Sequence, residues 1–406
     1  MPTSPRYDRR LVAWLSLAQL ISWGSVFYGF SLLMEPVERE LALSRTESSL
    51  AFSLALLTEG LLAYPVGRCI DRGHERAVMT GGSLLAAACL VGHSMVSSLA
   101  GFYTVWIGLG VAMSGTLYSP AFAVMTRRFP GDFRRAIITL TFLGGLASTV
   151  FIPLTAWLIA GFGWRHALLG LAGLHLLVCA PLHALWLRQA PGSARTGEAA
   201  PGAPAPPLGQ FLWSAPFLLL AGFIVLMMAV TAALPAHMVS LLRDNGLGEA
   251  WAIAIPASIG AIQVVGRLLL HFFEHRFDVH LANRLIPCLI PLGLLALLLA
   301  PATGEFQVWL AALFVLLYGL GNGMLTIVKG TAVAQYINRD HVAALNGAMG
   351  LPNALARAGA PLLLGVLYSR EAGYSLGLWL MLGSSVLAVA AMVVAQRLAL
   401  APRQRR

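Results

Sequence analysis

Long apolar runs follow one another along nearly the whole of this chain. A helix needs about 20 consecutive apolar residues to cross a bilayer core roughly 30 Å thick. Twelve stretches of that kind stand out, at 11–34, 48–67, 77–97, 101–126, 136–161, 165–187, 212–241, 250–273, 283–301, 306–328, 343–368 and 373–396. Joined by short connections, they use most of the 406 residues. A membrane barrel would instead show segments of about ten residues with alternating polarity. These runs are unbroken and rich in Leu, Ala and Gly, so the expected class is an all-α membrane protein with twelve transmembrane helices. The soluble alternatives fail on composition. Only 11% of the residues are charged and 58% are apolar, whereas a soluble domain carries about a quarter charged residues. A disordered chain would be polar and charge-rich.

The formal net charge is +10, and Lys329 is the single lysine among 27 basic residues. A basic soluble chain would point to nucleic acid. In a membrane protein the basic residues mark topology instead, so no nucleic-acid partner is expected. With the N-terminus inside, one side of the membrane receives Arg6, Arg9, Arg10, Arg72, Arg76, Arg127, Arg128, Arg134, Arg135 and Arg188, and later Arg276, Arg284, Arg339 and Arg397. The other side receives only Arg39, Arg45, Arg165, Arg243 and Arg370. That asymmetry places both termini in the cytoplasm, with the chain multi-pass in the cell inner (plasma) membrane and in contact with lipid. The run from Leu11 to Met34 is too long for a cleaved signal and is expected to stay as the first helix. Cys69, Cys89, Cys179 and Cys288 lie in or beside apolar segments without metal-like spacing. They read as small apolar residues, and no metal or cofactor is expected.

The widest gap between spans holds Pro191, Pro201, Pro204, Pro206 and Pro207 among Gly, Ser and Ala, a linker composition. It divides the chain into an N-terminal six-helix half (1–188), a cytoplasmic linker (189–210) and a C-terminal six-helix half (211–406). The halves repeat weakly. Gly108-Leu109-Gly110 matches Gly319-Leu320-Gly321, and Val66-Gly67-Arg68 matches Val265-Gly266-Arg267. Two pseudo-symmetric halves around a midplane site are the mark of alternating-access transporters.

The loop after the second span reads Gly67-Arg68-Cys69-Ile70-Asp71-Arg72-Gly73-His74-Glu75-Arg76. It resembles the G-x-x-x-D-R-x-G-R-R loop of the major facilitator superfamily at Gly67, Asp71 and Arg72, and departs from it at Glu75. Gly67 would let two helices approach closely, and Asp71 would accept hydrogen bonds from a helix N-terminus when the cytoplasmic side closes. These three residues are the expected cytoplasmic gate. Leu117-Tyr118-Ser119-Pro120, Gln263-Val264-Val265-Gly266-Arg267 and Gly321-Asn322-Gly323 extend the resemblance over essentially the whole chain. They are similar to a bacterial branch of the superfamily that resembles monocarboxylate transporters and oxalate/formate-type antiporters.

Charges inside spans are costly, which makes each a functional candidate. Arg267 lies about 10 Å inside the cytoplasmic end of its span at 1.5 Å per residue. Its guanidinium fork suits a carboxylate better than an ammonium does. The resembling transporters hold the substrate carboxylate with an Arg at this point. Their Asp one turn earlier is Gln263 here, and their first-helix Lys is Tyr28. Gln263, Tyr28, Tyr118 and Asn322 are the further expected lining residues. Glu59 and Arg357 sit mid-span; they pair with each other or serve coupling. Lys329, near the cytoplasmic end of its span, reads as a topology anchor ahead of a ligand contact. His93, His175, His183 and His271 read as structural residues, and His237 near the outer end of its span has the place of a pH sensor.

The expected function is a secondary active transporter for a small organic anion, coupled to a proton or a counter-anion and working as a monomer. Proton-coupled efflux of drugs or metabolites is the alternative, which would prefer an acidic cavity. An intramembrane enzyme would need a metal or nucleophile constellation, and neither H-E-x-x-H nor G-x-S-x-G occurs.

Overall fold

The computed structural model describes residues 8–129, 132–188, 209–273, 278–338 and 342–401. The side chains of Asp71, Phe133, Arg134, Arg135, His271 and Phe273 and of residues 342–344 also lie outside the described set, as does most of the expected linker, 189–208. No strand occurs among the described residues; a lone bridge joins Ser369 to Gly373. Nine described stretches are long and apolar enough to cross a membrane. Two of these are too long to be one helix. The stretch Ala136–Trp186 has 51 residues and Val279–Tyr336 has 58; at 1.5 Å per residue each would run well beyond twice a bilayer core. Both break at a glycine with positive φ, Gly163 (+77°) and Gly304 (+54°), a conformation that residues with a Cβ seldom adopt. Splitting them gives eleven helices, and a twelfth, less apolar one lies at 342–366.

In chain order the helices are α1 (Arg9–Leu41), α2 (Arg45–Asp71), α3 (Glu75–Ser94), α4 (Leu99–Arg128), α5 (133–162) and α6 (164–186). After them come α7 (Ala215–Asp244), α8 (Glu249–Phe273), α9 (Val279–Leu299), α10 (Gln307–Tyr336), α11 (342–366) and α12 (Ser375–Leu400). Their starts follow ordinary capping chemistry. Asp8 accepts from the amides of Arg10 and Leu11, and Ser44 with Glu47 forms a reciprocal capping box on α2. Ser98, Ser214 and Asp278 cap α4, α7 and α9. The helix α2 ends in a tight turn at Gly73, whose φ is +91°. Within the spans, α1 widens into a π-turn over Trp23–Tyr28, α4 breaks at Leu117, and α6 widens over His175–Cys179. Large apolar side chains such as Leu61, Trp157, Leu177 and Trp309 stand exposed on the helices, as a surface facing lipid requires.

The chain forms two compact units. The first holds α1–α6 together with Pro235–Ser240 of α7 and Ala252–Gly260 of α8. At its heart Phe30 stacks on Phe52 at 4.5 Å, and Trp106 stands edge-on to Phe30 at 5.0 Å. The segments from α7 and α8 pack on α1 and α5, where Leu32, Ile152, Val239 and Ala257 form an apolar cluster. Thr149 Oγ1 donates to Ala257 O at 2.7 Å there. At the other end of this unit, Glu75 is fully buried and Arg128 grips it at 2.5 Å while donating to Arg188 O. Glu75, the residue that departs from the family loop pattern, therefore ties α3, α4 and the end of α6 together. The second unit holds the rest of the C-terminal half, with α8, α9 and α10 in backbone contact and Tyr336, Asn283, His280 and Gln396 joined in a hydrogen-bonded group.

Candidate functional site

In the second unit, glycines draw α8 and α10 together. A Cβ at Gly266 would lie 3.1 Å from Leu320 Cα, and one at Gly323 would lie 2.8 Å from Gln263 Cα. Carbon atoms in contact sit about 3.5–4.0 Å apart, so only glycine fits at these two positions. The crossing puts Gln263 against the α10 backbone one residue beyond Asn322. Arg267 follows Gln263 by one helical turn on the same face of α8. Gln263 is buried, and Arg267 and Asn322 are half-buried. Three of the expected lining residues therefore cluster at one helix crossing. Lys329 lies two turns beyond Asn322 on α10 and is half-buried. Arg357 is half-buried in α11.

The first unit gathers the aromatic candidates. The Tyr118 ring stacks on Phe122 at 5.2 Å and leans on Trp23 at 4.8 Å. Its hydroxyl end fills the space beside Gly144, where an added Cβ would lie 2.6 Å from the oxygen. Trp23 touches Phe27 at 5.0 Å, and Phe27 touches Tyr28 at 5.3 Å. Tyr28 rests on the cluster of Leu32, Ile152, Val239 and Ala257. Glu59 is buried in α2, with 7% of its surface exposed.

Packing also moves the register of the internal repeat. Gly108 faces α3 at Cys89, and Gly110 faces the α2 backbone at Ala55. In the second unit Gly321 faces α9 at Leu289, and Gly323 faces the α8 backbone at Gln263. Gly108-Leu109-Gly110 thus corresponds to Gly321-Asn322-Gly323, two residues later than the sequence match at Gly319. On α2 and α8 the same contacts equate Ala55 with Gln263. One turn further on, Glu59 takes the place of Arg267. The apparent match of Gly67 to Gly266 fails for the same reason, since Gly266 touches Leu320 while a Cβ at Gly67 would meet no described atom within 4 Å. Among the described residues, Gly67 makes no close helix approach. Arg72 is exposed, and the Asp71 side chain lies outside the described set.

Among the described residues no group of His, Cys, Asp and Glu is placed to hold a metal ion. His237 approaches Ser49 Oγ at 3.4 Å in the first unit. The sequence reading missed Glu75 and Arg128, although the loop's departure from pattern at Glu75 was the available sign.

Helices long and apolar enough to cross a membrane, in two compact units with matching glycine crossings, define a polytopic helical membrane protein. The family comparison agrees: residues 15–361 match the model of the Major Facilitator Superfamily, and the chain belongs to that superfamily. Monocarboxylate transporter 13 of Bos taurus is 30% identical over 68% of this chain and 64% of its own length. The matched stretch therefore spans a little under two thirds of that relative. Monocarboxylate transporter 11 of Mus musculus is 28% identical over 76% of this chain and 71% of its own. Among solved structures, a bacterial homologue of the human lysosomal transporter Spinster, inward-facing and occupied, superposes with a TM-score of 0.71. That match covers 96% of both chains at 16% identity, and it shows the fold alone. The chain is a multi-pass membrane protein of that superfamily.

Proposed function

We propose that this transporter moves a small carboxylate across the inner membrane by alternating access, and that Arg267 binds the carboxylate. The observation that carries the reading is the α8–α10 crossing, which sets the half-buried Arg267 one turn from Gln263, itself against the α10 backbone at Gly323. In a dry site a guanidinium and a carboxylate form paired, charge-assisted hydrogen bonds. The charge inventory supports the same reading. Inside the apolar runs of the C-terminal half the sequence places Arg267, Lys329 and Arg357, while its acids fall near the ends of the runs or between them. The relatives named as monocarboxylate transporters point to the same substrate class.

Tyr28 and Tyr118 are the first-half contacts in this proposal, and Gly67, Asp71 and Arg72 form the cytoplasmic gate. Glu59, the counterpart of Arg267, pairs with Arg357 or takes part in coupling. Carrying a monoanion inward against an interior-negative potential costs about 2.3 kcal/mol per 100 mV. Coupling to a proton or to a departing anion removes that cost. The working unit is a monomer, with both termini in the cytoplasm.

The test is a thermal-shift screen of purified protein against mono- and dicarboxylates, with Arg267→Gln beside the wild type. A ligand that binds the folded state raises the melting temperature by mass action. The expected result is a shift with at least one carboxylate in the wild type and none in the folded variant. Equal shifts in both proteins would refute the role of Arg267, and no shift with any carboxylate would refute the substrate class.

A further inference from the structure

The first unit contains two π-turns, and they touch. One lies in α1 over Trp23–Tyr28 and the other in α6 over His175–Cys179. Such single-turn widenings are rare and concentrate at functional sites. A single side-chain hydrogen bond joins them, between Ser25 Oγ and His175 Nε2 at 2.7 Å. Ser25 is 2% exposed and His175 is fully buried.

The direction of this bond follows from the neighbouring one. Ser25 Oγ lies 2.6 Å from Ile21 O. A carbonyl only accepts, so the single hydroxyl proton goes to Ile21. Ser25 therefore accepts from the imidazole, and the neutral ring carries its proton on Nε2. His175 Nδ1 is buried with no hydrogen-bond partner among the described residues. Nothing in the packing of a plain apolar helix calls for this arrangement, since a Leu at 175 and an Ala at 25 would leave no polar atom stranded.

The α1 π-turn carries the aromatic candidates. Trp23, Phe27 and Tyr28 lie within it, and Trp23 leans on Tyr118 at 4.8 Å. A π-turn holds one residue more than an α-turn. Its collapse to α geometry would swing the helix beyond it by about 100° and carry Tyr28 off its present face.

We propose that His175 is a positioning residue for the substrate: through Ser25 it locks the α1 π-turn in the register that sets Trp23 against Tyr118 and holds Tyr28 on its present face. This rests on the proposed carboxylate transport and adds its own substrate preference. An aromatic wall held in fixed register favours carboxylates with an apolar body over the smallest ones.

The experiment is calorimetric titration of the full chain in lipid nanodiscs with pyruvate and with phenylpyruvate. The proteins are wild type, Arg267→Gln, His175→Leu, His175→Gln, Ser25→Ala, Tyr28→Ala and the double variant His175→Leu/Tyr28→Ala. His175→Leu should weaken phenylpyruvate by about tenfold, on the scale of one lost aromatic or hydrogen-bonding contact, and pyruvate by less. His175→Gln keeps an amide donor for Ser25 and should restore most of the loss. If His175 acts through Tyr28, the two losses will not add in the double variant. Should the Leu variant fail to fold, Ser25→Ala makes the same comparison by removing the acceptor. Nitrogen-15 NMR of labelled histidine reads the lock directly and should show His175 as the Nε2–H tautomer. Unchanged affinity in both His175→Leu and Ser25→Ala, additive losses, or an Nδ1–H tautomer would overturn the inference while leaving Arg267 in place. Failure of the wild type to bind either acid would count against the carboxylate reading, and the tautomer would then decide the lock by itself.

Discussion

Replacing Gly323 by Ala is the sharpest probe of the α8–α10 crossing. The new methyl would lie 2.8 Å from Gln263 Cα and 2.9 Å from its carbonyl carbon. Carbon contacts relax only near 3.5–4.0 Å, so the helices must part by about 1 Å. The obstacle is backbone, which has no rotamer through which to yield. Overpacking of this kind costs about 1–3 kcal/mol, and this case belongs at the upper end. Ala is a better helix former than Gly by up to about 1 kcal/mol. The net loss is about 1–2 kcal/mol. For a unit of some two hundred residues that lowers the melting temperature by about 2–8 °C. Gly67→Ala provides the matching control. It makes the same exchange in a helix, but its Cβ meets no described atom within 4 Å, so the propensity gain of up to about 1 kcal/mol stands alone. The two variants should move in opposite directions. Intrinsic fluorescence of the ten tryptophans, followed during heating, reads both. A Gly323→Ala protein that melts at or above the wild-type temperature would refute the close crossing and, with it, the placement of Gln263 against α10.

Other outcomes follow from the same structure. Glu75→Ala leaves the half-buried Arg128 without its carboxylate; breaking a buried pair on one side costs about 3–5 kcal/mol, so the same melting experiment should show a drop toward the lower end of that range, and a change under about 1 kcal/mol would mean the pair carries little. Thr149→Val removes the 2.7 Å bond to Ala257 O and should cost about 0.5–1.5 kcal/mol, measured alike. Asp71→Asn should slow uptake into proteoliposomes while leaving carboxylate affinity near wild type; an affinity loss equal to that of Arg267→Gln would move Asp71 out of the gate and into the binding site.

The number of spans was legible because the bilayer imposes a length on every apolar run. The helix at 342–366 was visible in the sequence pattern even though Asn346, Asn353 and Arg357 keep it below the apolarity of the other spans. Register between the halves was not legible. The strings Gly-Leu-Gly look alike at 108 and 319, but packing selects glycines by which helix they meet, and Gly323 meets α8 as Gly110 meets α2. A repeated triplet therefore misled by two residues, and with it the equivalence of Glu59 and Arg267 stayed hidden. The π-turns left no sign at all. Their extra residue depends on the Ser25–His175 bond, which joins positions 150 residues apart.

Where α8 and α10 meet, peptide backbone rests on peptide backbone, and the spacing there does not depend on any side chain. The side chains beside that contact, at 263, 267 and 322, can therefore change without altering the frame that holds them. On the proposed carboxylate reading, a new cargo is acquired through exchanges at these few positions, much as a lock is re-keyed without a new barrel. The glycines at 266 and 323 are positions where such a lineage has little freedom.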